Sequence, residues 1–193
     1  MKRSPLLVLL LCCLVLAVGC ANLTAVGKPS PSIDKIQKRG SVIIGTAANM
    51  PPLNMTTKKG VPAGLDIDLA QYIASAMGVQ LHLVTKNFDE LLPALEAGQV
   101  DMVISGLTIT PERNLKVAFA GPYHVTGKAF LTKNNALAKA KDLAALNSNA
   151  FIFTSLAGST SEALIKGSMP QAAYIPVKNY DEAVALVVNN KAD

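Results

Sequence analysis

The chain has 193 residues, of which 50% are hydrophobic, 5% aromatic and 16% charged, and its formal net charge is +5 at pH 7. This length is enough for one large domain or two small ones. The lysines are scattered, tryptophan is absent and aromatic residues are few. The sequence therefore offers neither a phosphate-tracking patch nor a surface for base stacking, and nucleic acid is not an expected partner.

The N-terminus has the pattern of a secretion signal. Lys2 and Arg3 precede an apolar run at residues 6–18, and these correspond to the charged and hydrophobic regions of a signal peptide. A run of about 13 residues is too short to cross a bilayer, which takes about 20. We therefore expect this segment to be removed and the mature protein to lie outside the cytoplasm.

The apolar run ends at Ala17-Val18-Gly19-Cys20, which resembles the lipobox of bacterial lipoproteins, where the cysteine becomes the lipidated first residue. The leucine that usually stands three places before the cysteine is one place further back, as Leu16, so ordinary cleavage after Ala21 is the alternative. We predict a lipoprotein-type signal peptide at residues 1–20, a lipid anchor at Cys20 and a flexible tether at residues 21–40.

An alternation of strands and helices begins at Ser41. The apolar run from Val42 to Ala47 predicts a strand that is covered on both faces. The stretch from Asn49 to Gly64 contains several prolines and glycines and predicts a long irregular loop. Asp66 is expected to cap the helix that follows. The buried face of that helix is predicted to consist of Leu69, Tyr72, Ile73, Ala76 and Met77.

Two further strands are predicted at Gln80 to Val84 and at Met102 to Ile104. Between them, Asn87 and Glu90 have the spacing of a capping box, which predicts a second helix that Pro93 should kink. Strands that alternate with helices indicate a parallel sheet with helices on both faces, and ligands bind such sheets at the carboxyl ends of the strands.

The stretch Ser105 to Arg113, SGLTITPER, follows the third predicted strand directly. The chain is expected to turn through Gly106, and Pro111 should open a short helix with Thr110 as its N-cap. Backbone N–H groups, hydroxyl groups and a guanidinium are therefore close together, and this combination suits a carboxylate. An ordinary strand-to-helix junction with a solvated arginine is the alternative.

A second α/β unit is predicted after residue 126, so that the first lobe comprises residues 41–126 and the second, incomplete lobe comprises residues 127–193. Its expected strands are residues 129–132, 151–154 and 173–176, and its expected helices are residues 142–146, 158–166 and 180–188. The Gly158-Ser159-Thr160 turn opens one of these helices, and a helix N-terminus favours an anion. Plain capping by Ser159 is the alternative.

Signatures of catalysis are missing from the sequence, which contains no G-x-S-x-G, no P-loop and no G-x-G-x-x-G after a strand. His82 and His124 are isolated, without the spacing of metal ligands. We therefore expect no enzyme activity, no cofactor and no metal. Carboxylate-binding candidates on two successive lobes suggest instead that one small anionic ligand is held between them.

Four stretches resemble, in order and spacing, the bacterial amino-acid-binding proteins of solute-binding protein family 3, the extracytoplasmic receptors of ABC importers. They are VIIGTAANMPPLN from Val42, GLDIDLAQYIA from Gly64, NFDELLPALEAGQVDMVISGLTITPERNLKVAFAGPYHVTG from Asn87, and AGSTSEAL from Ala157. The resemblance runs from Val42 to Asp193 and is most specific between Phe88 and Tyr123.

The resemblance implies a type II periplasmic-binding-protein fold, in which two α/β lobes, each a mostly parallel sheet flanked by helices, close on a free amino acid. It implies that Arg113 holds the ligand's α-carboxylate and that the family's acidic partner for the α-ammonium group lies past Asp193. The other ligand-contacting residues that it implies are Thr108, Ser105, Gly106, Ser159 and Thr160 around the carboxylate, and Phe88 and Met50 around the side chain.

Two departures from the family pattern bear on the ligand. Ala47 stands where relatives that bind basic amino acids carry an aspartate, and Met50 stands where many have a stacking aromatic residue. Because a buried cation without a counter-charge is costly, we expect a neutral or small ligand side chain rather than that of lysine, arginine or histidine.

The resemblance also implies the setting of the protein: a monomer in the periplasm or at the cell surface, lipid-anchored to the membrane at Cys20, that delivers its ligand to an ABC transporter permease. The same fold serves as the ligand-sensing domain of signalling receptors and as a few dehydratase enzymes. Those two functions are the alternatives.

Overall fold

The computed structural model describes residues 30–193. The predicted signal peptide, its Cys20 and residues 21–29 of the predicted tether lie outside the described residues. The tether prediction is wrong for residues 31–39, which form a helix. Pro31 occupies the first helical position, where the missing N–H is not needed, and basic residues occupy the last turn, where positive charge is favourable.

Residues Ile36–Asp193 fold as one compact unit. The regular elements in chain order are helix α1 (Pro31–Arg39), strands β1 (Ser41–Thr46), β2 (Asn49–Met50), β3 (Asn54–Thr56) and β4 (Pro62–Ala63), helix α2 (Leu65–Ala76), strand β5 (Gln80–Thr85), a 3₁₀ turn (Phe88–Glu90), helix α3 (Leu91–Glu96), strand β6 (Met102–Val103), helices α4 (Pro111–Asn114) and α5 (Asn135–Ala138), a 3₁₀ turn (Ala144–Leu146), strand β7 (Ile152–Leu156), helix α6 (Thr160–Ser168), strand β8 (Ala173–Val177) and helix α7 (Tyr180–Val188). Among these residues, none of the helices is both long and apolar enough to cross a membrane.

The first sheet has the strand order β5-β1-β6, and all its strands are parallel. This confirms the three strands predicted for the first half of the chain. Val42 and Ile44 of the central strand are fully buried, as expected for a continuous apolar run that is covered on both faces. Because the strands are parallel, the segments after β1, β5 and β6 all leave the sheet at the same edge.

Helix α2 packs against this sheet with Leu69, Ile73 and Met77 of the predicted face, but not with Tyr72 and Ala76, which are exposed. Ala70 and Ala74 are fully buried, whereas Tyr72 is 72% exposed, so its place on the buried face was wrong. The two alanines have small side chains, and they let the helix backbone approach the sheet closely. The larger residues that pack around them are Leu69, Ile73 and Met77.

The stretch from Asn49 to Gly64 is more regular than predicted, because strands β2, β3 and β4 form a small antiparallel sheet. Asn54, which is fully buried, organises its first turn: the side-chain Oδ1 accepts hydrogen bonds from the backbone N–H groups of Asn49 and Met50, at 3.1 and 3.3 Å. Strands of two or three residues are too short to produce a hydrophobic period, so the sequence pattern could not reveal them.

Asp66 does not cap helix α2, contrary to the sequence prediction. Gly64 is the N-cap, and Asp66 lies inside the first turn, where it is fully buried. Its carboxylate accepts a hydrogen bond from Asn54 Nδ2 at 2.6 Å and one from the hydroxyl group of Tyr123 at 2.9 Å. A buried carboxylate must be hydrogen-bonded, and these two donors come from segments on either side of the helix in the sequence.

The second half of the chain contains a two-stranded parallel sheet, β7-β8, and both strands were predicted. Helix α7 has the predicted bounds, and its N-cap Asn179 accepts a hydrogen bond from Glu182 N at 2.8 Å. The predicted helix at 142–146 is reduced to one 3₁₀ turn. The division into lobes at residues 41–126 and 127–193 stays a prediction.

Residues 129–132, predicted as a strand, are not one in the structure. A strand requires a partner for its backbone N–H and C=O groups, and this segment pairs with none of the described strands. Leu131 is exposed, and Phe130 makes a side-chain contact instead of a strand pairing. The rings of Phe130 and Phe153 lie with their centroids 5.6 Å apart.

We predict that Asp66→Asn lowers the free energy of unfolding by roughly 2–3 kcal/mol, because one carboxylate oxygen becomes an NH₂ donor and a buried hydrogen bond is lost. Asp68→Asn is the matched control: Asp68 lies in the same first turn but is exposed, and the cost should stay below about 0.5 kcal/mol. Urea unfolding of both variants measures the difference. Equal effects would contradict the role given to Asp66.

Candidate functional site

The carboxyl edge of the first sheet is held together by Ser105. Its side chain is 1% exposed, and its Oγ accepts a hydrogen bond from the backbone N–H of Ala47 at 2.9 Å. The bond joins the residue that follows β1 to the loop that follows β6. Ser105 therefore positions the edge of the sheet, and the ligand contact predicted for it stays a prediction.

Gly106 sits at the turn that the sequence predicted, with a φ of 56°, a conformation that favours glycine. Its N–H donates to the hydroxyl oxygen of Tyr123 at 3.1 Å. A Cβ added at Gly106 would lie 2.8 Å from the sulfur of Met50, so these two predicted site residues are in close contact. The N–H that we expected to meet a ligand carboxylate is therefore engaged by Tyr123, which sequence reasoning did not single out.

Arg113 links the loop after β6 to the loop after β7. Its Nη1 donates to the carbonyl oxygen of Thr108 at 2.7 Å, and its Nη2 donates to the carbonyl oxygen of Gly158 at 2.9 Å. Helix α4 presents the side chain, and Thr110 caps that helix as predicted by accepting a hydrogen bond from Arg113 N at 3.3 Å. The bridge to Gly158 could not be read from the sequence.

The surroundings of the guanidinium are partly apolar. It lies over the ring of Phe88, 5.9 Å from the ring centroid, a distance at which a cation is attracted to an aromatic face. Burial lowers the pKa of Arg113, and the negative charge of Glu112 opposes that shift. Phe88 itself is 7% exposed and packs with Ala47, Leu91, Leu156 and Val177, and so it forms a wall between the ends of the two parallel sheets.

The Gly158-Ser159-Thr160 turn meets the first-sheet loops through Thr160, whose Oγ1 lies 3.5 Å from Thr108 Oγ1. Ser159 acts as the N-cap of α6, accepting a hydrogen bond from Glu162 N at 3.2 Å. That bond matches the capping alternative for Ser159. Gly158 has a φ of 71°, and a Cβ at this position would lie 3.1 Å from Asp89 Cβ.

The N-terminus of helix α6 already holds an internal carboxylate. Glu162 Oε2 accepts a hydrogen bond from Gly158 N at 2.6 Å, and Glu162 Oε1 binds Lys166 Nζ at 2.6 Å. The hydrogen bond from Lys166 lowers the pKa of Glu162, burial opposes this, and the Gly158 N–H and the charge of Lys166 lower it further. The carboxylate of Glu162 is thus bound to one of the backbone N–H groups that a ligand anion would use.

Lys128 is a site residue that sequence reasoning missed. Its Nζ donates to Thr160 Oγ1 at 2.7 Å and to Ser161 Oγ at 3.3 Å. Burial and the charge of Arg113 both lower its pKa. A single lysine next to a predicted lobe boundary carries no pattern, so only the folded chain shows that it reaches this site.

The predicted residues therefore form two adjoining groups. Ser105, Gly106 and Met50 line the edge of the first sheet, while Thr108, Arg113, Phe88 and Thr160 bring a guanidinium, two hydroxyl groups and an aromatic face together. Ser159 caps the N-terminus of helix α6. Such an array of donors suits an anion such as a carboxylate. Within residues 30–193, no three His, Cys, Asp or Glu side chains are placed to share a metal ion.

Known proteins share this sequence pattern. The model of the bacterial extracellular solute-binding proteins, family 3, matches residues 42–191. The L-arginine-binding protein of Pseudomonas aeruginosa is 34% identical over 119 residues, which are 62% of this chain and 44% of that protein. The probable histidine-binding protein of Campylobacter jejuni is 34% identical over 152 residues, 78% of this chain and 57% of that protein. The chain spans about half the length of these relatives.

Solved structures confirm the predicted fold class. The ancestral amino acid-binding protein AncCDT-1, a precursor of cyclohexadienyl dehydratase, superposes with a TM-score of 0.79 at 38% identity, over 84% of this chain and 71% of that one. A putative ABC transporter binding component from Wolinella succinogenes, complexed with lysine, gives a TM-score of 0.74 at 37% identity, over 80% of this chain and 66% of that one.

We predict that Tyr123→Phe lowers the free energy of unfolding at pH 8 by about 1 kcal/mol, because Gly106 and Asp66 each lose a hydrogen-bond partner. Burial, with the charge of Asp66, raises the pKa of Tyr123 from 10.0 to about 12. An unfolded tyrosine ionises near pH 10, so this contribution is complete below about pH 10 and is lost as the pH rises through about 12.

Urea unfolding at a series of alkaline pH values measures both effects. Tyr72→Phe is the control, since it removes the same atom from a side chain that is 72% exposed, and it should change neither the stability nor its pH dependence. If the two variants behave alike, the hydroxyl group of Tyr123 does not hold Gly106 and Asp66 together.

Proposed function

The chain belongs to the bacterial extracellular solute-binding proteins, family 3, and we propose that it closes on a free amino acid and delivers it to an ABC-type permease. The observation that carries the proposal is the position of Arg113. Its guanidinium contacts both Thr108 and Gly158, so a ligand held there touches segments that follow both parallel sheets.

The guanidinium has the capacity to bind a ligand carboxylate in addition to its present contacts. An arginine side chain carries five N–H donors, and two of them donate to the carbonyl oxygens of Thr108 and Gly158. Three donors remain, and a planar guanidinium can hold a carboxylate through two parallel hydrogen bonds. Thr108 and Thr160 add hydroxyl groups next to it.

The same geometry supports the proposal that the two predicted lobes close on the ligand. In our proposal, the ligand binds first to the loop after β6 and the loop after β7 then joins it. Arg113 and Thr160 are the residues through which the loops meet. A ligand that contacts both loops stabilises the closed state in proportion to its additional contacts there, and the closed form is the one that docks on the permease.

The pocket wall argues against a cationic ligand side chain. Ala47 is 7% exposed and packs with Phe88 and Leu91, so an apolar surface stands at the position where a counter-charge would be needed. A cation buried against it would lack a partner. We therefore propose that this protein does not share the ligand of relatives named for arginine or histidine.

Enzymatic activity is the second possibility, because AncCDT-1 is a precursor of cyclohexadienyl dehydratase. That protein is nevertheless an amino-acid-binding protein, as are the curated relatives. Turnover of prephenate or arogenate by the purified protein would favour the dehydratase function. A signalling domain after residue 193 would favour the other alternative, a ligand-sensing domain of a signalling receptor.

We predict that Arg113→Ala weakens binding of the cognate amino acid by about 2–5 kcal/mol, because a half-buried charge-assisted contact is lost. Isothermal titration calorimetry against the twenty amino acids identifies the ligand and measures the change. For the wild type, ligand at 100 times its dissociation constant should stabilise the fold by about 2.7 kcal/mol.

Lys116→Ala is the control for this experiment, since its side chain is 64% exposed and forms only a loose ion pair with Glu96. It should bind as the wild type does. The affinity of Arg113→Lys should lie between those of the wild type and Arg113→Ala, because a lysine keeps the charge but cannot form two parallel hydrogen bonds with a carboxylate. Unchanged binding by Arg113→Ala would show that Arg113 does not hold the ligand.

We further propose that the protein is attached to the membrane by a lipid on Cys20. Cys20→Ser should shift the protein from the membrane fraction to the soluble fraction of a bacterial host and abolish incorporation of labelled fatty acid. Cys13→Ser is the matched control, because Cys13 lies within the predicted removable segment. Labelling that survives in Cys20→Ser would contradict the anchor.

A further inference from the structure

Two cationic side chains contact a pair of neighbouring threonines. Arg113 binds the carbonyl oxygen of Thr108 at 2.7 Å, and Thr108 Oγ1 lies 3.5 Å from Thr160 Oγ1. On the other side of Thr160, Lys128 Nζ donates to the same Oγ1 at 2.7 Å. The guanidinium and the ammonium are therefore linked through only two threonines.

The positive charges of Arg113 and Lys128 act on each other, and because Lys128 is exposed, solvent screens part of their repulsion. Like charges at close range disfavour the charged forms, and the charge of Arg113 contributes to the lowered pKa of Lys128. In the described part of the chain, neither cation comes within 4.0 Å of a carboxylate oxygen. The hydrogen-bond partners of these two cations are neutral hydroxyl and carbonyl oxygens.

The neighbouring carboxylates are directed elsewhere. Glu162 binds Lys166 and the N–H of Gly158. Glu112, next to Arg113, is exposed, and hydrogen bonds with its own backbone N–H and with the side chain of Thr110 lower its pKa. Lys128 and Ser161 also line a mostly apolar cavity of about 180 Å³, whose lining includes neither Arg113 nor Thr160 and contains no carboxylate. A second anionic group has to come from the ligand if it is to neutralise Lys128.

We propose that Lys128 is a specificity-determining residue that selects an amino acid with an acidic side chain. The α-carboxylate is held by Arg113 and the side-chain carboxylate by Lys128, so that the affinity decreases from acidic to neutral to cationic side chains. This inference rests on the proposed function and extends it. It replaces the expectation of a neutral side chain, which did not take Lys128 into account.

The test compares ligands that differ in charge but hardly in shape. Calorimetry on the wild type with glutamate and glutamine, and with aspartate and asparagine, gives for each pair the ratio of the amide's dissociation constant to the acid's. We expect a ratio of at least about 10 for one pair, since Lys128 can form an ion pair with the acid, whereas the amide offers it only a neutral oxygen. Because both members of a pair meet the same protein, the ratio is insensitive to partial loss of folded protein.

Substitutions then test whether Lys128 causes the preference for the acid over the amide. Lys128→Gln should lower the ratio about tenfold, and Lys128→Glu should bring it below 1 and improve binding of lysine. Lys116→Gln is the control and should leave the ratio unchanged, since Lys116 lies away from this site, near Glu96.

The outcomes separate this inference from the proposed function. If the wild type binds none of the twenty amino acids, the proposed function fails and the inference fails with it. If the wild type binds an amino acid but shows no preference for acid over amide, or if Lys128→Gln keeps that preference, the role of Lys128 is wrong while the amino-acid-binding function stands.

Discussion

The carboxylate of Asp66 is the contact on which the geometry of the site depends. It is fully buried, and it holds Asn54 on one oxygen and Tyr123 on the other. Asn54 in turn fixes the backbone at Met50, and Tyr123 accepts the N–H of Gly106. Two loops far apart in sequence are therefore held to one helix. Their relative position depends on the buried carboxylate of Asp66, which must stay hydrogen-bonded.

The second organising feature is an excess of positive charge that the site does not neutralise by itself. Arg113 is satisfied by carbonyl oxygens and Lys128 by hydroxyl groups, so both keep their charge available. The helix N-terminus at Gly158 behaves in the opposite way, because Glu162 occupies its N–H. The positive charge at this site therefore comes from side chains rather than from the helix dipole, and side chains can be changed by single substitutions.

Local patterns explain which parts of the fold could be predicted. Strands β1, β5, β7 and β8 are continuous apolar or alternating runs, and the caps Thr110 and Asn179 use bonds that span three residues. Tyr123, by contrast, reaches Asp66 across 57 positions, and Lys128 reaches Thr160 across 32. Such contacts depend on tertiary packing and leave no period or spacing in the sequence. The roles of the predicted site residues in ligand binding remain predictions for the same reason.

Gly158 contributes to the site through the side chain that it lacks. Its carbonyl oxygen receives Arg113, and its Cα faces Asp89, where an added methyl group would lie 3.1 Å from the Cβ and 3.2 Å from the Cα of that residue. Even a methyl group at residue 158 would press the loop after β7 against the 3₁₀ turn at Phe88–Glu90. The approach of these two segments therefore depends on a glycine at residue 158, in addition to the side chains of Arg113 and Thr160 that join the loops.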